Sequence, residues 1–563
     1  MMTLDQITAW IDADPDEWTR AELRDLLGRS ATDEAAAAEL SDRFDGTLEF
    51  GTAGLRGALG GGPNRMNRAV VIRAAAGLAA WLKETVGPDF SVVIGCDARY
   101  GSEQFARDTA AVVTAAGGRA LLLPPRQPTP VLAFAVLHLD TDAGVMVTAS
   151  HNPRNDNGYK VYLGGAATDD AGRGVQLISP ADVEIAAAID SQPLPDRIPR
   201  TEDGWDRLGD EVRQAYLERA VSIVPHGRAG HLRIVHTAMH GVGGATALEA
   251  FERAGYNDVR SVTEQALPNP DFPTVDFPNP EEPGALDLAL ELAERVNADV
   301  IIANDPDADR CSVAVPVPDG WRQLSGDEVG WLLGTQAAAF AVAAGGSGTL
   351  ACSIVSSRML ERIAAAHGLE HAYTPTGFKW ISRAPGLVYG YEEALGYCVD
   401  PQAVRDKDGI SAGIRIALLA SQLGNQSETL LDQLDRLERS HGVHATRPLT
   451  IRVEDLDVIA AAMRKLREAP PAELAGSRVV EAVDLAVGGW RGLPATDALY
   501  YLTEANDRVV VRPSGTEPKL KCYLESIVEI DENASDDDLA AARARARERV
   551  NAVNDHLAEL IGS

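Results

Sequence analysis

The stretch FSVVIGCDARYGSEQFARDTAAVVTAAGGRALLLPP, residues 90–125, sets the fold class of this chain. It begins with a short apolar run that predicts a buried strand, continues with apolar residues at helical spacing, and ends in glycines before a second apolar run. A strand, a helix and a strand in that order are typical of a crossover connection, which places the two strands parallel under the helix. The sequence therefore predicts an α/β fold with a largely parallel sheet.

The same alternation recurs and predicts several domains, as expected for 563 residues. Residues 1–40 alternate acids with Ala and Leu at helical spacing, which predicts a helical extension before the first α/β unit. The pattern restarts at LRIVHTAMHGVGG and again near residue 349, with strands predicted at 349–355 and 386–391. A charged helix, which we expect to be a solvated surface helix, closes the sequence. We predict three similar α/β domains and a smaller C-terminal α+β domain, with bounds at 1–207, 208–320, 321–447 and 448–563.

Composition narrows the class of protein. The chain has 83 acidic residues against 52 Lys and Arg, a net charge of −31, which disfavours a broad nucleic-acid or anionic-membrane surface. Its five cysteines are scattered without a C-x-x-C pair, as is typical of reduced buried thiols. The first residues resemble no signal peptide, and no apolar run reaches the length of a membrane span. We expect a soluble, cytoplasmic protein with no nucleic-acid, membrane or obligate protein partner.

The stretch NDPDADR, residues 304–310, predicts a metal site. Asp305, Asp307 and Asp309 alternate after the apolar strand ADVIIA, so an extended loop can direct their carboxylates to one side. Three hard oxygen ligands suit Mg²⁺. An EF-hand is excluded because Arg310 stands where its turn glycine belongs. The alternative is a metal-free polar turn, in which the three carboxylates would repel one another.

The stretch TASHNPRNDNGYK, residues 148–160, places Ser150 after a strand. There is no G-x-S-x-G elbow, and adjacent His151 has poor geometry for a general-base pair with Ser150. A serine in such a loop can instead carry a phosphoryl group that a cation stabilises, with Lys160 supplying positive charge or a proton. Taken alone, the stretch is more typical of an ordinary Ser/Asn turn.

Two glycine-containing loops can bind phosphate. FGTAGLRGALGGGPNRMN, residues 50–67, presents Arg56 but has neither the G-x-G-x-x-G nor the P-loop pattern. RPSGTEPKLK, residues 512–521, follows a strand and offers a guanidinium, two hydroxyls, an ammonium and backbone N–H groups. These candidates are Arg512, Ser514, Gly515, Thr516 and Lys519. Each loop is about as typical of a plain turn.

The stretch GYEEALGY, residues 390–397, is a candidate for sugar recognition. Adjacent Glu392 and Glu393 can accept hydrogen bonds from sugar hydroxyls, which favours a specific substrate because an unmatched buried polar group is costly. Lys407, in RDKDG close behind, can donate a proton or hold a phosphate. Without other motifs, a solvated acidic turn is the simpler interpretation.

In this order, FGTAGLRG, TASHNP…NGYK, DPDADR, TPTGFKW, GYEEALGY, DKDG and RPSGTEPK resemble the α-D-phosphohexomutase superfamily of phosphosugar mutases. The resemblance extends from residue 50 to residue 521, and TASHNP together with DPDADR is its most specific part. It implies four domains around a central cleft, three of similar α/β fold and a smaller α+β fourth. That architecture agrees with the four domains predicted from the alternation of helices and strands.

The resemblance also implies roles for individual residues. Ser150 is implied to be a phosphoserine that donates and recovers the phosphoryl group, and one of its oxygens to complete the Mg²⁺ shell of Asp305, Asp307 and Asp309. The other implied residues are Arg56, Lys160 and Lys407 at the transferring phosphoryl group, Thr376, Gly377, Lys379, Glu392 and Arg310 at the sugar, and Arg512, Ser514, Gly515, Thr516 and Lys519 at the non-reacting phosphate. An electropositive site that lowers their pKa would let Lys160 and Lys407 act as acid and base.

The substrate implied is a hexose 1-phosphate, glucose before mannose, converted to the 6-phosphate through a sugar bisphosphate that also serves as activator. Ala394 replaces a serine found in many hexomutases, and no histidine follows it, so the motif resembles a branch with phosphoglucomutases and phosphopentomutases. The alternatives are a phosphopentomutase, a Mg²⁺-dependent sugar phosphatase and a non-catalytic sugar-phosphate sensor. We expect the last domain to close over the bound sugar, because phosphoryl transfer must exclude water.

Overall fold

A computed structural model describes residues 2–51, 54–224, 231–453, 456–514 and 519–562. The chain forms two compact units. The first unit contains Met1–Leu324 and Gly396–Gln422, and the second contains Ser325–Leu395 and Leu423–Ser563. The DKDG stretch, which the sequence assigns to the third domain, thus lies in the first unit. The four domain bounds themselves stay predictions.

Three helices form the amino-terminal extension, as predicted. They are α1 (Leu4–Ala13), α2 (Glu17–Arg29) and α3 (Glu34–Arg43). Each begins at a side chain that accepts backbone N–H groups of the first turn: Thr3, Asp16 and Asp33. Trp10 and Leu23 are buried in the same apolar core as the sheet that follows. The extension is therefore packed onto the first α/β layer rather than separate from it.

The first sheet confirms the fold predicted from residues 90–125. Its strands are β1 (Leu55–Ala58), β2 (Ser91–Cys96), β3 (Arg119–Leu122), β4 (Ala143–Val147), β5 (Asp156–Leu163), β6 (Val175–Gln176) and β7 (Asp206–Arg207). The order is β1-β5-β4-β2-β3-β7, with β6 on β5, and β4, β2, β3 and β7 are parallel. The helices are α4 (Arg68–Thr85), α5 (Ser102–Ala115), α6 (Thr129–His138), α7 (Ala181–Asp190) and α8 (Glu211–Ser222).

The second sheet of the first unit has the order β12-β11-β10-β8-β9. Its elements are β8 (Arg233–Thr237), α9 (Gly244–Arg253), β9 (Asp258–Ser261), α10 (Asp287–Val296), β10 (Val300–Ala303), β11 (Ser312–Val317) and β12 (Gly320–Gln323). Strands β10, β8 and β9 are parallel. The aspartate loop begins directly after β10, so the carboxyl end of a buried parallel strand positions it.

The second unit begins with a layer in which β13 lies between parallel β14 and β15. Its elements are α11 (Gly326–Ala343), β13 (Thr349–Ser353), α12 (Met359–Ala366), β14 (Glu370–Thr374), α13 (Phe378–Ile381) and β15 (Leu387–Glu392). Strands were predicted near 349 and 386, and both are present. The chain then passes through β16 (Gly396–Cys398) and α14 (Gly409–Gly424).

The chain ends in a six-stranded antiparallel sheet of order β17-β22-β21-β20-β19-β18. Its elements are α15 (Leu430–His441), β17 (Val443–Arg452), α16 (Leu456–Glu468), β18 (Glu473–Leu474), β19 (Ser477–Asp484), β20 (Leu499–Thr503), β21 (Asp507–Pro513), β22 (Lys519–Val528) and α17 (Asp536–Ile561). The charged closing helix is predicted to be a solvated surface helix, but one face of α17 buries Leu539, Val550 and Leu557. These apolar residues recur on one face, which packs on the sheet.

Two further predictions concern the whole chain. All five cysteines are buried and free of disulfides, as their scattered positions predict. Across the described ranges, no helix combines the length and the apolar character that crossing a membrane requires.

Candidate active site

The aspartate loop after β10 brings its three carboxylates together. Asp305, Asp307 and Asp309 are 0%, 0% and 1% exposed, and one oxygen from each lies within 4.8 Å of the others. Asn304 Nδ2 donates to the carbonyl of Arg310 at 2.7 Å and so closes the base of the loop. The convergence predicted from the alternating aspartates is present.

The carboxylates fit a divalent cation. Asp307 Oδ1 and Asp309 Oδ1 are buried, and neither accepts a hydrogen bond from the part of the chain that the structure describes. Buried oxygens without a partner are rare in folded proteins and indicate an unfilled requirement for a donor or an ion. Three carboxylates with two such oxygens match the hard oxygen donor set of Mg²⁺.

Ser150 lies at this cluster. It follows β4, is 3% exposed and has a left-handed φ of 49°, which is uncommon for a side chain other than glycine. Its Oγ donates to Asp305 Oδ2 at 2.8 Å. A hydrogen bond between Ser150 and Asp305 thus joins the loop after β4 of the first sheet to the loop after β10 of the second sheet. Both loops belong to the first unit.

The expectation of poor geometry between Ser150 and His151 is wrong. The Nδ1 atom of His151 lies 3.1 Å from Ser150 Oγ. The tautomer of the ring decides which of the two atoms donates in this contact. Burial, with Arg310 and Arg56 nearby, holds the pKa of His151 well below its usual range, so the ring is uncharged. An uncharged His151 ring therefore lies within hydrogen-bond distance of the Ser150 oxygen.

Both predicted lysines reach the carboxylates, but their environment is the opposite of the one expected. Lys160 Nζ, on β5, donates to Asp307 Oδ2 at 2.8 Å and to Asp309 Oδ2 at 2.9 Å. Lys407 Nζ lies 3.2 Å from Asp309 Oδ2 and 3.3 Å from Asp406 Oδ1. Burial lowers the pKa of Lys160, but the two aspartates outweigh burial and raise it. This direction is the opposite of the lowered pKa that a role for Lys160 as acid or base requires.

Each of the two predicted arginines of the first unit contacts one of the loops of this cluster. Arg56, on β1, donates from Nη1 to Asn152 Oδ1 at 3.0 Å, so it contacts the Ser150 loop. The backbone N–H of Arg310 donates to Asp305 Oδ1 at 3.0 Å, and its Nε lies 3.9 Å from Asp305 Oδ2. Their roles toward a substrate stay predictions.

Sequence reasoning missed two residues at this cluster. Thr129 Oγ1 donates to Asp307 Oδ2 at 2.7 Å, and its N–H donates to the Asp307 carbonyl at 2.9 Å. Its position at the start of α6, beyond the carboxyl end of β3, is the signal that could have found it. Tyr162 donates to Asp406 Oδ2 at 2.6 Å, and this acid is the neighbour of Lys407. No motif predicted that contact.

The predicted sugar-binding stretches lie in the second unit. Thr376 and Gly377 connect β14 to α13, and Lys379 lies in the first turn of α13. All three are half-buried, and Glu392 ends β15. Glu393 is held from the side, because its Oε2 accepts hydrogen bonds from Ser353 Oγ at 3.1 Å and Ser356 Oγ at 2.8 Å. The second glutamate of GYEEALGY is therefore anchored to the loop after β13.

The predicted phosphate loop joins β21 to β22 in the same unit. The N–H of Ser514 donates to the Lys519 carbonyl at 2.8 Å, which closes the loop. Gly515 and Thr516 lie outside the described residues. Burial raises the pKa of the Tyr523 hydroxyl, and the charges of Glu393 and Glu392 raise it further while Arg512 lowers it. Tyr523, which sequence reasoning missed, thus links the loop of Arg512 electrostatically to the two glutamates.

Four family models match most of the chain. They describe the α/β/α domains I, II and III and the C-terminal domain of phosphoglucomutase/phosphomannomutase, at residues 47–191, 214–318, 325–437 and 450–546. The chain belongs to this family. The resemblance stated from the motifs and the predicted fold class are therefore confirmed, and the protein is a phosphomutase, an isomerase that moves a phosphoryl group.

Individual relatives of the mutase have different names. It is 47% identical over 464 residues to a probable phosphomannomutase of Haemophilus influenzae, covering 82% of this chain and 93% of that one. It is 34% identical over 578 residues to the phosphopentomutase of Homo sapiens, covering 93% and 91%. The structure of a putative phosphomannomutase from Thermus thermophilus matches with a TM-score of 0.66 at 25% identity, covering 90% and 99%.

Proposed function

We propose that the mutase interconverts a hexose 1-phosphate and the hexose 6-phosphate through a phosphoryl group carried on Ser150. The observation that carries this proposal is the 2.8 Å hydrogen bond from Ser150 Oγ to Asp305 in a buried group of three carboxylates. A hydrolytic serine needs a base for its proton, but a phosphate carrier needs cations beside its oxygen. The carboxylates and Lys160 support the second arrangement.

Asp305, Asp307 and Asp309 are proposed to hold Mg²⁺, with an oxygen of phosphorylated Ser150 beside it. Bound there, the ion supplies positive charge that stabilises the serine oxygen as it departs and the spread charge of the phosphoryl group. Thr129 and Lys160 hold the carboxylates in place, since both donate to Asp307 Oδ2. The chain therefore has its ligands oriented in advance.

Two transfers complete the reaction. In the first, the bond between Ser150 Oγ and phosphorus breaks, a new bond forms to a sugar hydroxyl, and that hydroxyl loses its proton while the serine oxygen gains one. In the second, Ser150 takes the phosphoryl group from the other end of the bisphosphate. The raised pKa of Lys160 keeps its ammonium protonated near neutral pH and makes it a weak acid there. We therefore assign Lys160 to stabilise the charge of the transferring phosphoryl group.

The second unit is proposed to bind the rest of the substrate. Arg512, Ser514, Gly515, Thr516 and Lys519 are assigned to the phosphate that does not react, and Thr376, Gly377, Lys379 and Glu392 to the sugar. An arginine forms a strong, directional bond with a phosphate. We also propose that the last domain closes over the sugar, because water competes for the phosphoserine. All five cysteines of the chain are buried and free, which is compatible with a cytoplasmic location, where thiols stay reduced.

A pentose phosphate is the second candidate substrate. Ala394 removes a hydroxyl that many hexomutases place in the sugar loop, and the relative named phosphopentomutase covers 93% of this chain. Among hexoses, glucose is our first choice from the motifs. The relative named probable phosphomannomutase supports mannose as the next to test.

Two measurements test the proposal. Steady-state kinetics are measured on glucose, mannose, ribose and deoxyribose 1-phosphates, each with and without its bisphosphate. We expect the highest kcat/KM for a hexose phosphate. A kcat/KM about tenfold or more higher for a pentose phosphate would reassign the substrate. Mass spectrometry of the intact protein should show one phosphate that the Ser150→Ala variant lacks. Release of inorganic phosphate without isomerisation would instead identify a phosphatase.

A further inference from the structure

One buried arginine, which no sequence motif indicated, donates hydrogen bonds to the backbone of the Ser150 loop. Arg99 follows β2, and its side chain is 1% exposed. Its Nη2 donates to the carbonyls of Ser150 at 2.7 Å and Asn152 at 2.6 Å. Its Nη1 donates to the carbonyls of Pro153 at 2.7 Å and Asp156 at 3.1 Å. One guanidinium therefore binds four carbonyls between residues 150 and 156.

These contacts use every Nη hydrogen of Arg99. A guanidinium has five N–H donors, four on the two Nη atoms and one on Nε. The Nε atom lies 3.6 Å from Asp97 Oδ2, and neither atom has a hydrogen-bond partner among the residues that the structure describes. Arg99 therefore has no free terminal donor for a substrate, and its charge is balanced by Asp97.

The position of Arg99 is itself held on several sides. Asp97 Oδ1 accepts from the backbone N–H of Arg99 at 2.9 Å and from Ser102 Oγ at 2.6 Å. The guanidinium carbon lies 5.1 Å from the centroid of the Phe272 ring, within range of a cation–π contact. The planar guanidinium of Arg99 makes hydrogen bonds along its edge and a ring contact on its face, so its side chain has few alternative rotamers.

The Ser150 loop needs such support. Ser150 has a left-handed φ, a conformation that persists in a residue with a side chain only when the surroundings impose it. On the proposed function, the Ser150 oxygen must return to one position in every cycle, whether or not it carries a phosphoryl group. Small displacements of a reacting atom reduce rates steeply.

We propose that Arg99 is the positioning residue of the phosphate-carrying loop: it fixes the backbone of residues 150–156 through four carbonyls and so sets where Ser150 Oγ lies relative to the aspartates. This inference rests on the proposed role of Ser150. Arg99 acts through the loop and not on the substrate, so its removal affects the transfer step and leaves sugar binding and metal binding nearly unchanged.

The experiment compares the full-length native chain with Arg99→Lys. Dephosphorylated protein is mixed with glucose 1,6-bisphosphate, and mass spectrometry measures the rate of phosphoryl transfer to Ser150. In this step a bond between a sugar oxygen and phosphorus breaks and a bond between Ser150 Oγ and phosphorus forms. The serine proton passes to the sugar oxygen. A lysine has one ammonium and cannot span four carbonyls. We expect transfer about 100-fold slower, with KM for the sugar phosphate and the Kd for Mn²⁺ each changed by less than about threefold.

Arg68→Lys is the matched control. Arg68 is a half-buried arginine of the same unit and makes two hydrogen bonds to Asp108 at 2.8 and 2.9 Å. Within the described residues, none of its hydrogen bonds or ion pairs reaches the Ser150 loop. Its transfer rate should equal that of the native chain. If both variants lose the same amount of transfer, the effect is general destabilisation and the proposal is overturned.

Other outcomes distinguish a failure of the proposed function of Ser150 from a failure of the proposed role of Arg99. Native chain that never transfers phosphate to Ser150 refutes the proposed function itself. If the native chain transfers phosphate and Arg99→Lys does so at the same rate, the positioning role is overturned. A raised KM with an unchanged kcat in Arg99→Lys also overturns it. Should Arg99→Lys not fold, Asp97→Asn replaces it: Oδ1 is kept, the counter-charge of Arg99 is removed, and we expect transfer about tenfold slower. An unchanged rate there also overturns the proposal.

Discussion

Ser150 Oγ lies 2.8 Å from Asp305 Oδ2, although the two residues are 155 positions apart in the chain. Ser150 follows a strand of the first sheet and Asp305 a strand of the second, and both are buried. This contact joins the proposed phosphate carrier to the proposed metal ligands.

The variant Asp305→Asn should lose activity while keeping the fold. The amide has the same shape and its oxygen can still accept from Ser150. It loses the hydrogen bond from the Arg310 N–H and one negative charge that faces the cation. We expect kcat lower by at least about 100-fold and weaker Mg²⁺ binding by calorimetry. Asp299→Asn, at the exposed start of the same strand region, is the control and should match the native chain. Native-like Mg²⁺ affinity in Asp305→Asn would contradict the assignment of Asp305 as a ligand.

The variant Lys160→Met should make stability depend more strongly on Mg²⁺. Lys160 lies between Asp307 and Asp309, and its removal leaves buried carboxylates uncompensated, which costs roughly 3 kcal/mol of unfolding free energy. Added Mg²⁺ restores positive charge and stabilises the folded state by mass action. Urea unfolding in EDTA and in Mg²⁺ measures the difference. It should exceed that of the native chain and of Lys83→Met, an exposed lysine; equal Mg²⁺ effects in all three proteins would count against this arrangement.

The variant Asp327→Asn should change the pH dependence of stability. Burial, with Glu393 and Glu525 nearby, raises the pKa of Asp327 from 3.8 to about 7. The folded chain therefore keeps this proton between these values while the unfolded chain releases it, so the carboxyl disfavours folding increasingly as pH rises. Asparagine does not titrate, and its oxygen can still accept from the Ser357 N–H and the Tyr391 hydroxyl.

We expect the unfolding free energy of Asp327→Asn, relative to the native chain, to rise by about 1.4 kcal/mol per pH unit across this window and to level off above it. Urea titrations at half-unit steps of pH measure the difference. A difference that stays flat across the window would show that Asp327 ionises normally in the folded protein.

The variant Gly61→Ala tests how the amino-terminal helices are attached. A Cβ at Gly61 would lie 2.6 Å from Leu23 Cγ and 3.0 Å from the Thr19 carbonyl, so α2 would have to move. We expect a loss of roughly 1–3 kcal/mol in unfolding free energy. Gly28→Ala, in α2 with nothing within 4 Å of the new Cβ, is the control. It should stabilise by up to about 1 kcal/mol, and an equal loss in both variants would contradict the packing described.

The local pattern predicted the elements that depend on neighbours in sequence. Residues 90–125 form a strand, a helix and a strand because apolar spacing and terminal glycines act within a few residues. The aspartate loop is similar, since one short segment contains all three carboxylates. The burial of one face of α17 was missed, because a solvated helix and a helix packed on one face differ little in such a charged sequence.

The chain by itself determined the α/β class, the family and the residues available for chemistry: Ser150, the three aspartates and the two lysines. Only the tertiary structure decided what surrounds them. His151 reaches Ser150, Lys160 is held between aspartates that raise its pKa, and Arg99 binds the carbonyls beneath the loop. Sequence spacing cannot supply these facts, because a pKa and a hydrogen bond depend on distances between segments that only folding brings together.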